Sequence, residues 1–312
     1  MKKTWNKIVL LGAIAATFTF SACNRNKETE PKITAENAQS LEDNSYSENE
    51  FDAVTDIEQG TSDDAFAAKP AGGNKEGQAN GLPQCATVTI QPWTPEGTNI
   101  MGKKITVNFG TAGCTHNGRT YKGAIITTYT KRYVTPGSVI TTTFDSFYVK
   151  KANDPDTKYV KLEARKVVVN ESQANPNNPN LAVAPIKHRV KVMGSTAGAG
   201  DDSFAKLIFP DSKTIEWNTN RLRVWSEGSS TPIVLSDDIF LVSGTHKGKN
   251  LNGVTFNAQT VEENALQFKT ACWLQGFYRP TKGKLQIASS NHPTIVIDFG
   301  SGSCDNDYTV QL

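Results

Sequence analysis

The chain has no long apolar run after its first 22 residues and carries little net charge. Of its 312 residues, 37% are apolar and 21% are charged, and the formal net charge is +2. Each membrane-spanning helix needs about 20 mostly apolar residues, so this composition excludes a protein with several membrane spans. Nucleic-acid-binding proteins usually carry a strongly basic surface, which this charge balance gives no reason to expect.

Histidine is scarce, and the sequence lacks the short motifs that mark common active sites. The H-E-x-x-H, G-x-S-x-G, G-x-G-x-x-G and phosphate-loop patterns do not occur. The four histidines, His116, His188, His246 and His292, stand at no spacing typical of a metal site. We therefore expect no cofactor, no metal and no catalytic residue. A hydrolase that uses carboxylates on its loops stays open as an alternative, because one sequence does not show which two acids meet.

The first 22 residues carry the three parts of an export signal. Three lysines precede an apolar run from Ile8 to Phe20, and two small residues then precede Cys23. This ending resembles the lipobox of bacterial lipoproteins, although Phe20 stands where most lipoboxes have Leu or Val. The resemblance implies cleavage of residues 1–22 and acylation of Cys23, for example with palmitate, which anchors a protein to a membrane. An ordinary secretory signal followed by a chance cysteine is the alternative.

Residues 23–83 are predicted to form an acidic tether. Between residues 24 and 69, twelve acidic side chains stand against four basic ones, a net charge of −8, whereas residues 70–312 carry +7. Ser47 and Glu50 fit a capping box, apolar residues from Phe51 to Ile57 share one face, and Gly60 follows, which predicts a short helix of about 12 residues. Residues 70–83 are predicted to be a Gly- and Pro-rich linker. The opposite charges would also allow the helix to dock on the rest of the chain.

Residues 84–312 are predicted to form an antiparallel β domain. Short segments alternate apolar and polar residues, are rich in Val, Ile, Thr, Tyr and Phe, and are separated by turn residues such as Pro136-Gly137 and Asn252-Gly253. Segments such as residues 138–149 are longer than an average strand and have one polar face. We therefore predict an all-β fold, a long-stranded meander or an open barrel, with long loops at residues 172–185 and 194–202.

Four cysteines remain after Cys23, and they lie in two similar segments. In each segment a cysteine opens a strand, a later strand ends in Phe-Gly, and a second cysteine follows that Phe by five residues. In an antiparallel hairpin the start of one strand lies beside the end of the other, so the layout pairs Cys85 with Cys114 and Cys272 with Cys304. A four-thiolate zinc site is the alternative, but it would need closely spaced cysteines and a reducing compartment.

Several short segments carry a resemblance to a known group of proteins, besides the lipobox and the acidic helix. They are Phe109-Gly110 with Cys114, Asn117-Gly118-Arg119, Val139 to Phe144, Glu216-Trp217, Arg221 to Trp225, and Phe299-Gly300 with Cys304-Asp305-Asn306. Together these features resemble a group of uncharacterised lipoproteins from Bacteroidota, over most of residues 36–312. The resemblance implies a lipoprotein of the cell envelope, held in the outer membrane on its periplasmic or its surface face, with a β-rich body and no known activity.

One group of aromatic and basic residues, Trp217, Arg221, Arg223 and Trp225, is the best binding candidate. If the residues between them face the core, strand alternation places Arg221, Arg223 and Trp225 on the outer face, where an indole flanked by guanidinium groups could stack on a sugar. The alternative is that Trp225 covers a core edge and the arginine stems pack over it. The sequence thus predicts a membrane-anchored protein that binds or scaffolds a glycan or an envelope protein.

Overall fold

The structure, a computed structural model, describes residues 33–67, 75–77, 82–196, 200–231, 235–273, 275, 277 and 279–312. These residues belong to one compact unit, Ile33–Leu312. The predicted export signal and the predicted acylation site Cys23 lie outside the described residues. Within the described ranges, no helix is both long enough and apolar enough to cross a membrane.

Antiparallel strands make up about half of the described chain, which confirms the predicted all-β fold. Seventeen strands form one sheet, and two others, β9 and β10, form a hairpin within the loop at residues 172–185. The strands are β1 (Lys75–Gly77), β2 (Thr87–Trp93), β3 (Gly102–Asn108), β4 (Cys114–His116), β5 (Arg119–Tyr129), β6 (Val139–Lys151), β7 (Val160–Glu163), β8 (Arg165–Asn170), β9 (Ala174–Asn175), β10 (Asn178–Ala182), β11 (Ile186–Met193), β12 (Ala205–Ile208), β13 (Thr214–Glu227), β14 (Ile239–Lys249), β15 (Thr255–Thr260), β16 (Leu266–Lys269), β17 (Lys282–Ser289), β18 (Ile295–Ser301) and β19 (Thr309–Gln311).

Strands that are neighbours in the sheet are mostly neighbours in the sequence, as in a meander. The paired strands run in the order β1-β2-β3-β5-β6-β8-β11-β13-β14-β15-β17-β18-β19, and all these pairs are antiparallel. Short strands extend this order: β4 pairs with β5, β7 and β12 lie between β6 and β13, and β16 lies between β14 and β17. In β15, buried Phe256, Ala258 and Thr260 alternate with exposed residues, the period of two that the sequence shows.

The N-terminal helix α1 (Ala35–Ala67) is much longer than the sequence predicted. Its first turn is capped by Thr34, whose Oγ1 accepts a hydrogen bond from the backbone N–H of Asn37 at 3.2 Å. Ser47, predicted as the cap, lies inside the helix and donates to the carbonyl oxygen of Asp43. Gly60, predicted as the stop, also lies inside the helix, where it costs about 1 kcal/mol relative to Ala.

Helix α1 is the centre of the core and not a solvated tether. Phe51, Val54 and Ile57 are at most 2% exposed and pack in one cluster with the inner face of the sheet. The helix contacts β3, β13, β14 and β17, so the sheet curves around it. The prediction that residues 23–83 form a tether outside the β domain is therefore wrong for residues 35–67. Side chains of the strands provide partners for the polar as well as the apolar faces of this helix.

Both predicted disulfides are present. The Cα atoms of Cys85 and Cys114 lie 5.6 Å apart, and those of Cys272 and Cys304 lie 5.2 Å apart. Both distances lie in the usual range for a disulfide. Cys272 lies in the single helical turn α2 (Thr270–Trp273) and does not open a strand as predicted.

The backbone makes the same local hydrogen bond at each Phe-Gly, just after β3 and inside β18. The backbone N–H of Gly110 donates to Oδ1 of Asn108 at 2.8 Å, and that of Gly300 donates to Oδ1 of Asp298 at 2.9 Å. The φ angles of the two glycines are 69° and 83°, which glycine adopts without strain. The same backbone geometry therefore precedes the second cysteine of each segment.

Candidate functional site

The four residues predicted as a surface binding site lie on the inner face of β13. Trp217 and Arg221 are 0% exposed, Arg223 is 7% exposed and Trp225 is 8% exposed. The alternation along β13 is as predicted, but the face that carries these side chains is the one that packs against helix α1. The prediction that they face solvent is therefore wrong.

Trp217 is a core residue with its polar atom satisfied. Its ring stacks on that of Phe51 with the centroids 5.5 Å apart and the planes 6° apart. Its Nε1 donates to Oδ1 of Asn44 at 2.9 Å, and the His246 ring lies on it at 5.7 Å. No face of this indole is free to stack on a sugar.

Arg221 holds helix α1 through two carboxylates. Its Nη1 donates to Glu48 and its Nη2 donates to Asp52. Desolvation opposes the charge of Arg221, but the attraction of Asp52 and Glu48 is stronger and raises its pKa. Desolvation also raises the pKa of Glu48, so each charge in this buried group depends on the other.

Arg223 and Trp225 close one edge of the core, which agrees with the alternative interpretation of this segment. The guanidinium of Arg223 lies 3.9 Å from the centroid of the Phe240 ring. The Trp225 ring packs on the same Phe240 at 5.7 Å, and its Nε1 donates to Oδ1 of Asp238 at 3.0 Å. These contacts cover apolar surface at this edge of the core.

Two of the four histidines, His188 and His246, are buried and uncharged. Burial lowers the pKa of His188 to about 4 and that of His246 to about 3, so both rings are neutral at physiological pH. The described ranges contain no group of three or more His, Cys, Asp or Glu side chains that could hold a metal ion.

A groove of about 540 Å³ crosses the outer face of the sheet, and sequence reasoning missed it. The register places Asn220 of β13 beside Thr245 of β14, Thr245 beside Gln259 of β15, and Gln259 beside Gln286 of β17. Lys191 of β11 continues this row beside Asn220. Since neighbouring strands lie about 4.8 Å apart, the five residues form a polar row about 19 Å long.

A second row runs beside the first, two residues along each strand. It contains Asn218, Lys247, Asn257 and Ala288, which the register also places side by side. We call the two rows together the amide groove. The carboxamides of Asn220, Asn257, Gln259 and Gln286 make no hydrogen bond within the part of the chain that the structure describes.

The loop before β12 forms one wall of the amide groove and neutralises its lysines. Lys191 Nζ lies 2.6 Å from Oδ2 of Asp201, and Lys247 forms an ion pair with Asp202. The Nδ2 of Asn218 donates to the carbonyl oxygens of Asp201 and Ser203, both at 2.7 Å. The charges of the groove are therefore paired, and its free groups are neutral amides.

Comparisons of the chain with protein-family models, with curated proteins and with solved structures find no match. The resemblance to Bacteroidota lipoproteins stays a prediction.

Proposed function

We propose that this protein is a non-enzymatic lipoprotein of the cell envelope that binds an oligosaccharide in the amide groove. The observation that supports this proposal is the row of unpaired carboxamides that the register aligns across neighbouring strands. Each carboxamide offers two N–H donors and one acceptor oxygen, which suits hydroxyl groups that both donate and accept. Paired ionic groups on the rim leave little attraction for a charged ligand.

The groove also has an aromatic side chain nearby. Phe204 is 36% exposed, and its ring centroid lies 5.9 Å from Nζ of Lys247, which lines the groove. A partly exposed ring beside hydrogen-bonding groups is a suitable surface for the C–H face of a sugar. A peptide partner would more often add to a free strand edge than lie across the strands of a sheet face.

Anchoring through acylated Cys23 is the second part of this proposal. The lipobox supports it, and the two disulfides agree with it because such bonds persist in oxidising compartments outside the cytoplasm. An outer-membrane location would place the groove where glycans occur. Mass spectrometry of the mature N-terminus tests this part: an unmodified chain that retains residues 1–22 would contradict it.

A glycan array screened with the mature chain, purified without its lipid, tests the groove. The best-bound oligosaccharide is then titrated against wild type and against the double variant Asn257→Ala/Gln259→Ala. We expect the double variant to lose at least about tenfold in affinity, or about 1.4 kcal/mol. The matched control is Gln173→Ala, an exposed amide outside the groove, which should change affinity by less than about twofold. Failure to bind any glycan, or equal loss in both variants, would reject the proposal.

A carboxylate-based hydrolase is not favoured, although two acids do line one pocket. Asp52 and Asp56 lie on consecutive turns of helix α1 beside the same cavity. A glycosidase needs its two carboxylates on opposite sides of the scissile bond, whereas side chains four residues apart project from one side of a helix. Asp52 is also held by Arg221.

A further inference from the structure

A second pocket, of about 340 Å³, lies where helix α1 passes between the β4–β5 hairpin and α2. We call it the helix pocket. Its lining includes Asp52 and Asp56 of α1, Arg119 and Tyr121 of β5, and Trp273 of α2. It shares no residue with the amide groove.

Asp56 is the one charged group of this lining that lacks an ion-pair partner among the described residues. Asp52 is bound by Arg221, and Arg119 Nε lies 3.1 Å from Oε2 of Glu50. The side chain of Asp56 forms no hydrogen bond or ion pair within the described chain and is exposed to the cavity. Arg221 is shared between Asp52 and Glu48, so the lining and its ion-pair partners carry more negative than positive charge when the acids are ionised.

Thr270 provides a second, independent sign of a ligand. Its Oγ1 is buried, has no hydrogen-bond partner within the described chain, and belongs to a residue of the pocket wall. Buried hydroxyl groups are nearly always hydrogen-bonded in folded proteins, so an unpaired one at a cavity points to a polar ligand. A ligand with more than one N–H donor can satisfy both this hydroxyl and the Asp56 carboxylate.

The Trp273 indole forms an aromatic wall of the pocket. It stacks on the Phe240 ring with the centroids 6.3 Å apart and the planes 8° apart, and it also packs on Phe268. Its position is therefore fixed before a ligand arrives. The face of an indole attracts cations more strongly than that of any other side-chain ring.

We propose that the helix pocket binds a cationic nitrogen group with several N–H donors, an alkylammonium or a guanidinium, between Asp56 and Trp273. The unpaired carboxylate and the aromatic wall favour such a group over a neutral or anionic one, and the hydroxyl of Thr270 can accept a hydrogen bond from it. The same chemistry occurs in free amines and in the side chains of lysine and arginine in a peptide. This inference does not depend on glycan binding in the amide groove.

Isothermal titration of the mature chain at pH 7.5 tests the ligand class. The probes are agmatine and an acetylated, amidated peptide with a single arginine, and the neutral control is the same peptide with citrulline in its place. We expect the arginine peptide to bind at least about tenfold more tightly than the citrulline peptide. Binding of agmatine as well would identify free amines as ligands, and binding of the peptide alone would identify a protein partner. Binding of neither probe, or equal binding of the two peptides, would overturn the proposal.

Two variants test the position of the cation. Asp56→Asn keeps the shape of the side chain and removes its charge. We expect this variant to lose affinity for the bound probe by about tenfold or more. The matched control is Glu42→Gln, an exposed acid of the same helix about 21 Å away, which should change affinity by less than about twofold. Thr270→Val tests the hydroxyl and should give a smaller loss. The proposal is overturned if Asp56→Asn binds like wild type or, should that variant not fold, if Thr270→Val does.

The groove variant separates this test from that of the proposed function. Asn257→Ala/Gln259→Ala should bind the cationic probe like wild type, because it changes no residue of the helix pocket. A cationic probe that loses affinity in the groove variant and keeps it in Asp56→Asn would bind in the groove, and the helix pocket would then have no assigned ligand.

Discussion

Lys166 and Glu58 form an ion pair between β8 and helix α1 in which neither side chain is exposed, with Nζ 2.7 Å from Oε2. Lys166 also donates to Oγ1 of Thr55, and Thr142 donates to Oε1 of Glu58, both at 2.5 Å. Desolvation lowers the pKa of Lys166, and the nearby Glu58 opposes that change. Each charge of such a buried pair is tolerated only when its partner is in place, so the pair fixes the position of the helix inside the sheet.

Removing one partner of this pair should strongly destabilise the protein. We expect Lys166→Met to lower the free energy of unfolding by about 3–5 kcal/mol, because Glu58 stays buried without its countercharge. The double variant Lys166→Met/Glu58→Leu should be more stable than Lys166→Met alone. Urea unfolding measures both, with Lys161→Met as the control, since the Lys161–Glu163 pair is more than one-third exposed at each end and is worth at most about 1 kcal/mol. A loss below about 1 kcal/mol for Lys166→Met would mean that the helix is not docked as described.

Trp217 should matter for stability and not for ligand binding. We expect Trp217→Ala to cost about 3–5 kcal/mol in urea unfolding, because a large buried ring is lost. Trp217→Phe keeps a ring on Phe51 and loses the hydrogen bond to Asn44, so its cost should be smaller. Glycan affinity, measured on the folded fraction of Trp217→Phe, should equal that of wild type. Loss of glycan binding without loss of stability would restore the surface site that the sequence suggested.

The β-strands and the disulfides were predictable because their signals are local or repeated. The alternation in β15 and the repeated Phe-Gly segments before Cys114 and Cys304 need no knowledge of the tertiary fold. In the same way, the apolar face from Phe51 to Ile57 revealed part of helix α1.

The rest of the helix was missed because its partners are distant in sequence. The helix is polar on most faces, and Glu48 and Glu58 become suitable core residues only through Arg221 and Lys166, which lie far along the chain. The sequence did contain a signal of this docking. Glu48, Asp52 and Asp56 follow one another at intervals of four residues, which places acids on one face of a helix. Arg221 and Arg223 are two residues apart, which places both on one face of a strand. That match, read together with the opposite net charges, favours docking over a tether.

The amide groove was not predictable, because strand register decides which side chains become neighbours. Asn220, Thr245, Gln259 and Gln286 come from four strands. A shift of one residue in the register of any of these strands would turn all its side chains to the opposite face and so break the row.

Each disulfide should contribute separately to stability. Loops of 29 and 32 residues are closed by Cys85–Cys114 and Cys272–Cys304, which predicts about 3–4 kcal/mol for each bond in the chain-entropy model. We expect Cys85→Ser/Cys114→Ser and Cys272→Ser/Cys304→Ser each to lower the midpoint of thermal unfolding. Reductant should lower the midpoint of each variant further, since the other bond remains. Free thiols, or linkages between the two segments in non-reducing peptide maps, would contradict this pairing.

Asp56 should make stability and cation binding depend on pH in opposite directions. Desolvation raises its pKa from 3.8 to about 6; Asp52 adds to this rise, while Arg223, Lys166 and Arg119 oppose it. Between pH 4 and 6 the folded protein therefore keeps a proton on Asp56 that the unfolded chain has released. The contribution of protonated Asp56 to the free energy of unfolding is present at low pH and is lost as the pH rises through 6.

The comparison of wild type with Asp56→Asn isolates this group, since all other titrations cancel to first order. We expect the unfolding free energy of wild type, relative to that of Asp56→Asn, to fall as the pH rises from 4 to 7 in a urea series. The affinity of wild type for the arginine peptide should rise over the same interval, because only the ionised carboxylate attracts a guanidinium. The peptide affinity could instead stay constant from pH 4 to 7 while the difference in unfolding free energy changes as expected. That result would show that Asp56 titrates but does not contact the ligand.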